Sequence, residues 1–237
     1  MQGVTDTLSR VSSAQKKRIA DFLQPSARHV RLGGFAKHEL GHDAIARLPS
    51  AVPSTLARGS MVHHQLAHRL QCVPAGRCIC PQAGMRPLPL DEPVPSGPAG
   101  RMIVAGMRFV YDEQLAPLGC ELAVASSTPT VLLGTRVDAL FCSLRAADAE
   151  HYVDAAGTAR VRPGKVLVSW KTSRAPCDND VVQLGLELHM LAQSGIACRR
   201  AYIVYLRVHH GRTDCVVHAQ RYDERACRAV AALPLIN

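Results

Sequence analysis

No apolar run in this chain approaches the ~18 residues that a membrane-spanning helix needs. A membrane partner is therefore not expected. No series of charged, apolar and small residues at its start reads as a secretory signal. Residues 1–33 hold Arg, Lys and Ser with few acids, faintly like a mitochondrial transit peptide. Asp6, Asp21 and the lack of a clear amphipathic stripe speak against one. None of the nine cysteines (Cys72, Cys78, Cys80, Cys120, Cys142, Cys177, Cys198, Cys215 and Cys227) belongs to a C-x-x-C pair. Cys78-Ile-Cys80 with Cys72 begins a zinc or iron–sulfur site, but the remaining ligands are not evident, so no structural cluster is expected. An odd number of cysteines without a secretory signal predicts reduced thiols, several of them in the core. The expected setting is an intracellular, reducing one: nuclear, cytoplasmic or viral, with the mitochondrion as a further option. No internal repeat is visible. There is a single tryptophan, Trp170.

The composition that remains is that of an ordinary globular chain. Its 237 residues can bury a real core, and 47% of them are apolar. The formal charge is +9. An excess of this sign favours polyanion partners, because Lys and Arg displace counterions from phosphates; a basic protein with no nucleic-acid partner is the plain alternative.

Breakers divide the chain. Residues 14–24 predict a short helix ended by Pro25, and residues 35–48 a second one that stops at Pro49. Residues 1–54 are read as an irregular arm with cap helices, and residues 55–237 as the main domain. Val62, Leu66 and Leu70 have the i, i+4 spacing of a core-facing helix. Residues 73–100, rich in Pro and Gly, predict an extended loop. Met102 to Gln114 reads as a helix; Glu121–Ser126 and Val131–Leu144 read as strands, followed by a polar excursion over residues 145–163. Val166–Trp170 is a short strand and Val181–Gln193 a helix closed by Ser194-Gly195. Ala201–Val208 and Cys215–Ala219 read as paired strands, and Arg221–Leu233 as a closing helix. The expected class is α/β.

Two segments carry the chemistry: Gly134-Thr-Arg-Val-Asp138 and Ser169-Trp-Lys171-Thr-Ser173. Each is an apolar strand that ends on a reactive polar residue. Phosphodiester hydrolysis needs hard oxygen ligands for a divalent cation, and a cation beside the attacked phosphorus to orient water and offset charge. Glu121, Asp138 and Lys171 stand on three consecutive strands, which usually neighbour one another, so the three side chains are expected to converge.

Gly-x-x-x-Asp138 followed by Trp170-Lys171-Thr172-Ser173 and a Gln183-Leu helix resembles the RecB-type branch of the PD-(D/E)XK nucleases. The motifs are most similar to those of the mitochondrial genome maintenance exonucleases, whose lysine motif reads Asp-Trp-Lys-Thr-Ser. Gly59-Ser-Met-Val-His63 matches the branch's Gly-x-x-x-His motif, and Glu121 the acid ahead of the Asp strand. The resemblance covers roughly residues 55–208. It implies a restriction-endonuclease-like core, a central mixed sheet flanked by helices, and metal-dependent cleavage of DNA, favouring an exonuclease on single strands. It further implies that Asp138 and Glu121 bind Mg²⁺ or Mn²⁺, helped by the Trp170 carbonyl, that Lys171 positions water, and that His63 and Gln183 shape the site. Ser169, Thr172, Ser173 and His64 fall where the substrate would pass.

One residue departs from the pattern. Ser169 stands where the family carries an acid, and a neutral serine oxygen is a poor ligand for Mg²⁺. Glu187, one turn after Gln183, either supplies a migrated carboxylate to the metal or faces solvent. Simpler readings stand beside the functional ones: an ordinary ion pair for Asp138 and Lys171, a core histidine for His63, and core packing rather than base stacking for Trp170. A catalytically inactive nuclease fold that binds nucleic acid is the alternative function. A third comes from His38-Glu39-Leu-Gly-His42, which fits the H-E-x-x-H helix of zinc proteases. The metzincin continuation is missing there, since Ile45 and Leu48 replace the glycine and the third histidine.

Overall fold

The apolar runs between residues 115 and 222 build one sheet, and the helices bury its two faces. The computed structural model describes residues 12–23, 30–32, 45–46, 55–71, 94–127, 132–172, 176–208 and 215–233. In chain order the elements are α1 (Ser13–Phe22), β1 (Val30–Leu32), β2 (Ile45–Ala46), α2 (Thr55–Gln71), β3 (Val94–Pro95), α3 (Gly97–Asp112), β4 (Leu115–Ser127) and β5 (Leu132–Ser143). A 3-10 turn (Ala146–Asp148), β6 (Glu150–Val153), β7 (Ala159–Arg162), β8 (Lys165–Lys171), α4 (Asp178–Gln193), β9 (Cys198–Val208), β10 (Cys215–Tyr222) and α5 (Glu224–Ala231) follow. The central sheet has the order β1-β10-β9-β8-β5-β4. Only β8 and β9 run parallel in it; the other neighbours are antiparallel. A parallel pair needs a long crossover, and α4 supplies it.

The centre of the sheet is buried on both faces, so β9 reads as a continuous apolar run from Ala201 to Leu206. Ile203 and Tyr205 pack with residues of α1, α4 and α5. Tyr202, Val204 and Leu206 pack with α2 and α3 on the opposite face. The chain is thus α/β, a mixed central sheet flanked by helices.

Local signals explain most element ends. Ser12 caps α1: its hydroxyl accepts from the Gln15 amide, and the Gln15 side chain accepts from the Ser12 amide. Asp178 and Asp180 occupy the first turn of α4, where the helix dipole favours them. The Tyr205 hydroxyl donates to Asp180 at 3.0 Å and ties that turn to β9. Gly195, at φ +77°, ends the helix in the left-handed region.

Several expectations are corrected. The loop predicted over 73–100 gives way to structure at its end, where β3 forms and α3 starts at Gly97. Pro98 suits a first turn, because the amide it lacks would have no partner there. Ile45 and Ala46, placed in a predicted helix over 35–48, pair as a strand with Val94 and Pro95. The polar excursion contains the β6–β7 hairpin. Arg221 and Tyr222 extend β10 rather than open a helix, and Asp223 caps α5 instead by accepting from the Ala226 amide. Within the amino-terminal stretch read as an arm, α1 packs into the core. Ile19 and Leu23 are buried, Gly185 leaves room for Ile19, and β1 forms an edge of the sheet. No helix among the described residues is long and apolar enough to cross a membrane.

Opposite the candidate site, the start of β9 carries a buried charge network. Arg200, 2% exposed, donates to the Tyr202 hydroxyl at 3.0 Å and the Ser143 hydroxyl at 3.0 Å, and pairs with Asp148. Tyr202 donates to Glu113 at 2.6 Å, and Arg145 pairs with the same carboxylate. Removing one partner of such a network strands its buried counter-charges. Arg200→Ala is expected to cost about 3–5 kcal/mol, measured as a lower urea midpoint at unchanged slope. A loss below about 1 kcal/mol would show that Asp148 and Glu113 are satisfied without it.

Candidate functional site

β4, β5 and β8 lie side by side, so Glu121 in the middle of β4, Asp138 in the middle of β5 and Lys171 at the end of β8 come together. On the β4–β5 ladder Cys120 pairs with Ala139 and Leu122 with Val137, which sets Glu121 across from Asp138. Two acids directly opposite repel. Glu121 also sits at φ +52°, a left-handed conformation that costs a non-glycine residue roughly 1 kcal/mol or more. A strained residue beside a like charge is the kind of conflict that clusters where function demands it.

On the other side, main-chain pairing of β5 with β8 ends at Ala139 and Val168. Beyond that point the Asp138 carboxylate takes over as acceptor. It receives the Trp170 amide at 2.8 Å and the Ser169 hydroxyl at 3.2 Å. In an extended strand a residue's carbonyl points to the same side as its amide, so the Trp170 carbonyl faces the same gap.

The second layer of the site comes from α2. His63 Nδ1 lies 3.4 Å from Asp138 Oδ1. Gly59, one turn earlier, lets the helix approach: a Cβ there would stand 2.8 Å from the Thr172 hydroxyl oxygen. Burial alone would depress the His63 pKa, but the Asp138 carboxylate outweighs it and raises the group above its ordinary value. Burial alone would raise Asp138. His63, Lys171 and the Trp170 amide overcome that and hold its carboxyl below the usual range. His63 is therefore no satisfied core histidine; it is 27% exposed at the side chain and engaged with an acid.

Donor atoms of His63, Glu121 and Asp138 all lie within 4.8 Å of one another. Two carboxylates and an imidazole suit a divalent cation of the Mg²⁺ or Mn²⁺ kind, with the nitrogen favouring Mn²⁺. Glu187 does not belong to this group. It is not solvent-facing either, being 0% exposed.

Lys171 does not form the plain ion pair with Asp138. Its ammonium donates to Gln183 Oε1 at 2.9 Å, and Gln183 Nε2 donates to Glu187 Oε1 at 2.8 Å. Burial, with the nearby Asp138 charge, pushes the Glu187 carboxyl up to about 8. That group therefore holds its proton near neutrality in the folded chain and loses it from about 4.5 in the unfolded one. The unfolded state then binds fewer protons, so stability falls as pH rises through this window. Against Glu187→Gln, the wild type should lose about 1.4 kcal/mol per pH unit between roughly pH 5 and pH 8, measured by chemical denaturation. Parallel stability curves would contradict a protonated Glu187.

The remaining residues expected at the site separate. Ser169 is 0% exposed with its hydroxyl spent on Asp138, so it does not line a substrate path. Trp170 is buried edge-on against Phe109, centroids 6.0 Å apart, and does not stack on a base. His64 is exposed, about 100° around the helix from His63. Thr172 is half-buried against Gly59. Ser173, the His38–His42 motif and Cys72, Cys78 and Cys80 lie outside the described residues. Arg136, which pairs with Glu121 at 3.5 Å, and Cys120, whose thiol burial pushes up to about 12, also border the site. Sequence reasoning misses both because their roles follow from cross-strand register. At that value Cys120 is a neutral thiol, not a nucleophile.

No protein-family model matches the chain, and no curated protein matches it.

Proposed function

We propose that the protein is a metal-dependent DNA nuclease of the RecB-type PD-(D/E)XK class, acting on single-stranded DNA as an exonuclease. The carrying observation is the set of His63, Glu121 and Asp138 donors within 4.8 Å of one another, with Lys171 at the end of the adjoining strand. The element order supports it as well: a histidine helix, an acid strand, a lysine strand and a glutamine crossover helix leading to a parallel strand.

His63, Glu121 and Asp138 would hold Mg²⁺ or Mn²⁺, with the Trp170 carbonyl as a further oxygen. The cation, when bound, supplies Lewis-acid charge to a phosphodiester. Asp138 is kept ionised by His63 and Lys171, which suits a ligand. The Trp170 amide and Ser169 hydroxyl fix its orientation. Lys171, held by Gln183, presents an ammonium to orient a water and offset phosphate charge. The test is labelled single-stranded DNA with Mg²⁺ or Mn²⁺, run beside EDTA. Cleavage that EDTA leaves intact would end this assignment.

Ser169 favours the second reading, a nuclease-like fold that binds without cutting, because its buried hydroxyl brings no charge to the donor set. Both readings share a binding prediction. A chain of formal charge +9 should bind single-stranded DNA with an affinity that falls steeply with salt and survives chelation. Fluorescence anisotropy at rising NaCl measures it; a flat salt dependence would remove the phosphate-contacting surface from both readings.

A further inference from the structure

We infer that Glu187 is a positioning residue: through Gln183 it sets where the Lys171 ammonium points. This role rests on the nuclease reading for its catalytic consequence, but not for its geometry. Lys171 has only N–H donors, so it can bond Gln183 only through the amide oxygen. That choice turns Gln183 Nε2 the other way, into the protein. Glu187 Oε1 receives it at 2.8 Å, from one turn further along α4. Glu187 is 0% exposed, so no water competes for that acceptor. Its other oxygen, Oε2, is buried without a hydrogen-bond partner among the described residues. A carboxyl with one satisfied and one orphaned oxygen is a poor device for holding a core together. It is explained by the single bond that it makes. Leu184, Leu186 and Leu188, its neighbours along the helix, are buried and apolar and offer no side-chain acceptor. Without Glu187 the Gln183 amide has a buried donor to satisfy. It turns to find another partner, and Lys171 loses its oxygen.

The test compares Glu187→Met, which keeps bulk and removes the acceptor, with Glu187→Gln, which restores it. Two quantities are measured: the Gln183 side-chain amide pair by NMR, and kcat against KM for single-stranded DNA with Mn²⁺. In the wild type the Gln183 amide protons should be individually resolved and slow to exchange. Glu187→Met should erase that signature and lower kcat about 10–100-fold with little change in KM, and Glu187→Gln should recover most of both. A Gln183 pair unchanged in Glu187→Met, or Glu187→Gln no better than Glu187→Met, would overturn the positioning role. A fast-exchanging pair in the wild type would overturn it even if Glu187→Met fails to fold. Absence of cleavage by the wild type would sink the nuclease reading alone. The amide signatures of the three proteins would then decide the role of Glu187.

Discussion

Lys171→Ala should reduce metal-dependent cleavage of single-stranded DNA by about 10²–10³-fold while leaving the fold and most DNA affinity in place. Lys171 ends β8 half-buried, and its ammonium donates to the neutral Gln183 oxygen. No ion pair of the described residues depends on it, and Asp138, which its charge helps to keep ionised, retains His63 and the Trp170 amide. A positively charged group spent on a neutral amide oxygen is poised for a phosphate. Asp138→Asn is the companion variant, with a different signature. Asp138 receives two hydrogen bonds from β8 and faces His63. The amide would keep one acceptor but withdraw the charge that raises His63. His63 should then titrate lower, visible by NMR, and the metal dependence of cleavage should shift to far higher Mn²⁺ or vanish. Full activity in Lys171→Ala would disprove its role at the phosphate. An unshifted His63 in Asp138→Asn would contradict the coupling derived above.

The second large effect concerns Ser169. Ser169→Asp places a carboxylate at a position with no solvent access, beside Asp138. Without metal the two acids repel in a low-dielectric site, and an uncompensated buried charge costs about 3–5 kcal/mol. The metal-free variant should therefore melt well below the wild type. A bound cation inverts that logic, since it is the largest local charge and stabilises both acids. Mn²⁺ should then raise the melting temperature of Ser169→Asp far more than that of the wild type, and cleavage should rise with it. Scanning calorimetry with and without Mn²⁺ gives the first result and the nuclease assay the second. Equal metal-induced shifts in the two proteins would mean that no cation binds beside residue 169.

Much of the framework was legible in the sequence because it is written in local patterns. The period-two and continuous apolar runs of β4, β5, β8 and β9 report how many faces each strand buries. Ser194-Gly195 marks the end of α4 by backbone conformation alone. Errors fell where a local signal has two meanings. Pro98 reads as a loop residue by composition, yet it is equally at home in the first turn of a helix. Arg221 looks like the polar start of a helix, but pairing with Tyr202 keeps it in β10. The hairpin of β6 and β7 has exposed side chains throughout β7 and most of β6, so it carries no hydrophobic alternation to detect.

The candidate site divides along the same line. Residue type on successive strands nominated Glu121, Asp138 and Lys171, because carboxylates and an ammonium there imply a chemistry whatever their neighbours; His63 and Gln183 were nominated only by motif resemblance. Three outcomes belong to the tertiary structure. Glu187 turned out to be buried and bonded to Gln183, which one-turn spacing permits but does not require. Ser169 turned out to be a hydrogen-bond donor to Asp138, which depends on where β5 and β8 stop pairing. Glu121, in a left-handed backbone conformation, stands across from Asp138, which depends on the register of two long strands. Local sequence determines what a segment can form and which groups it carries. Which groups meet, and which lose water and so change their protonation, depends on residues brought together from far along the chain.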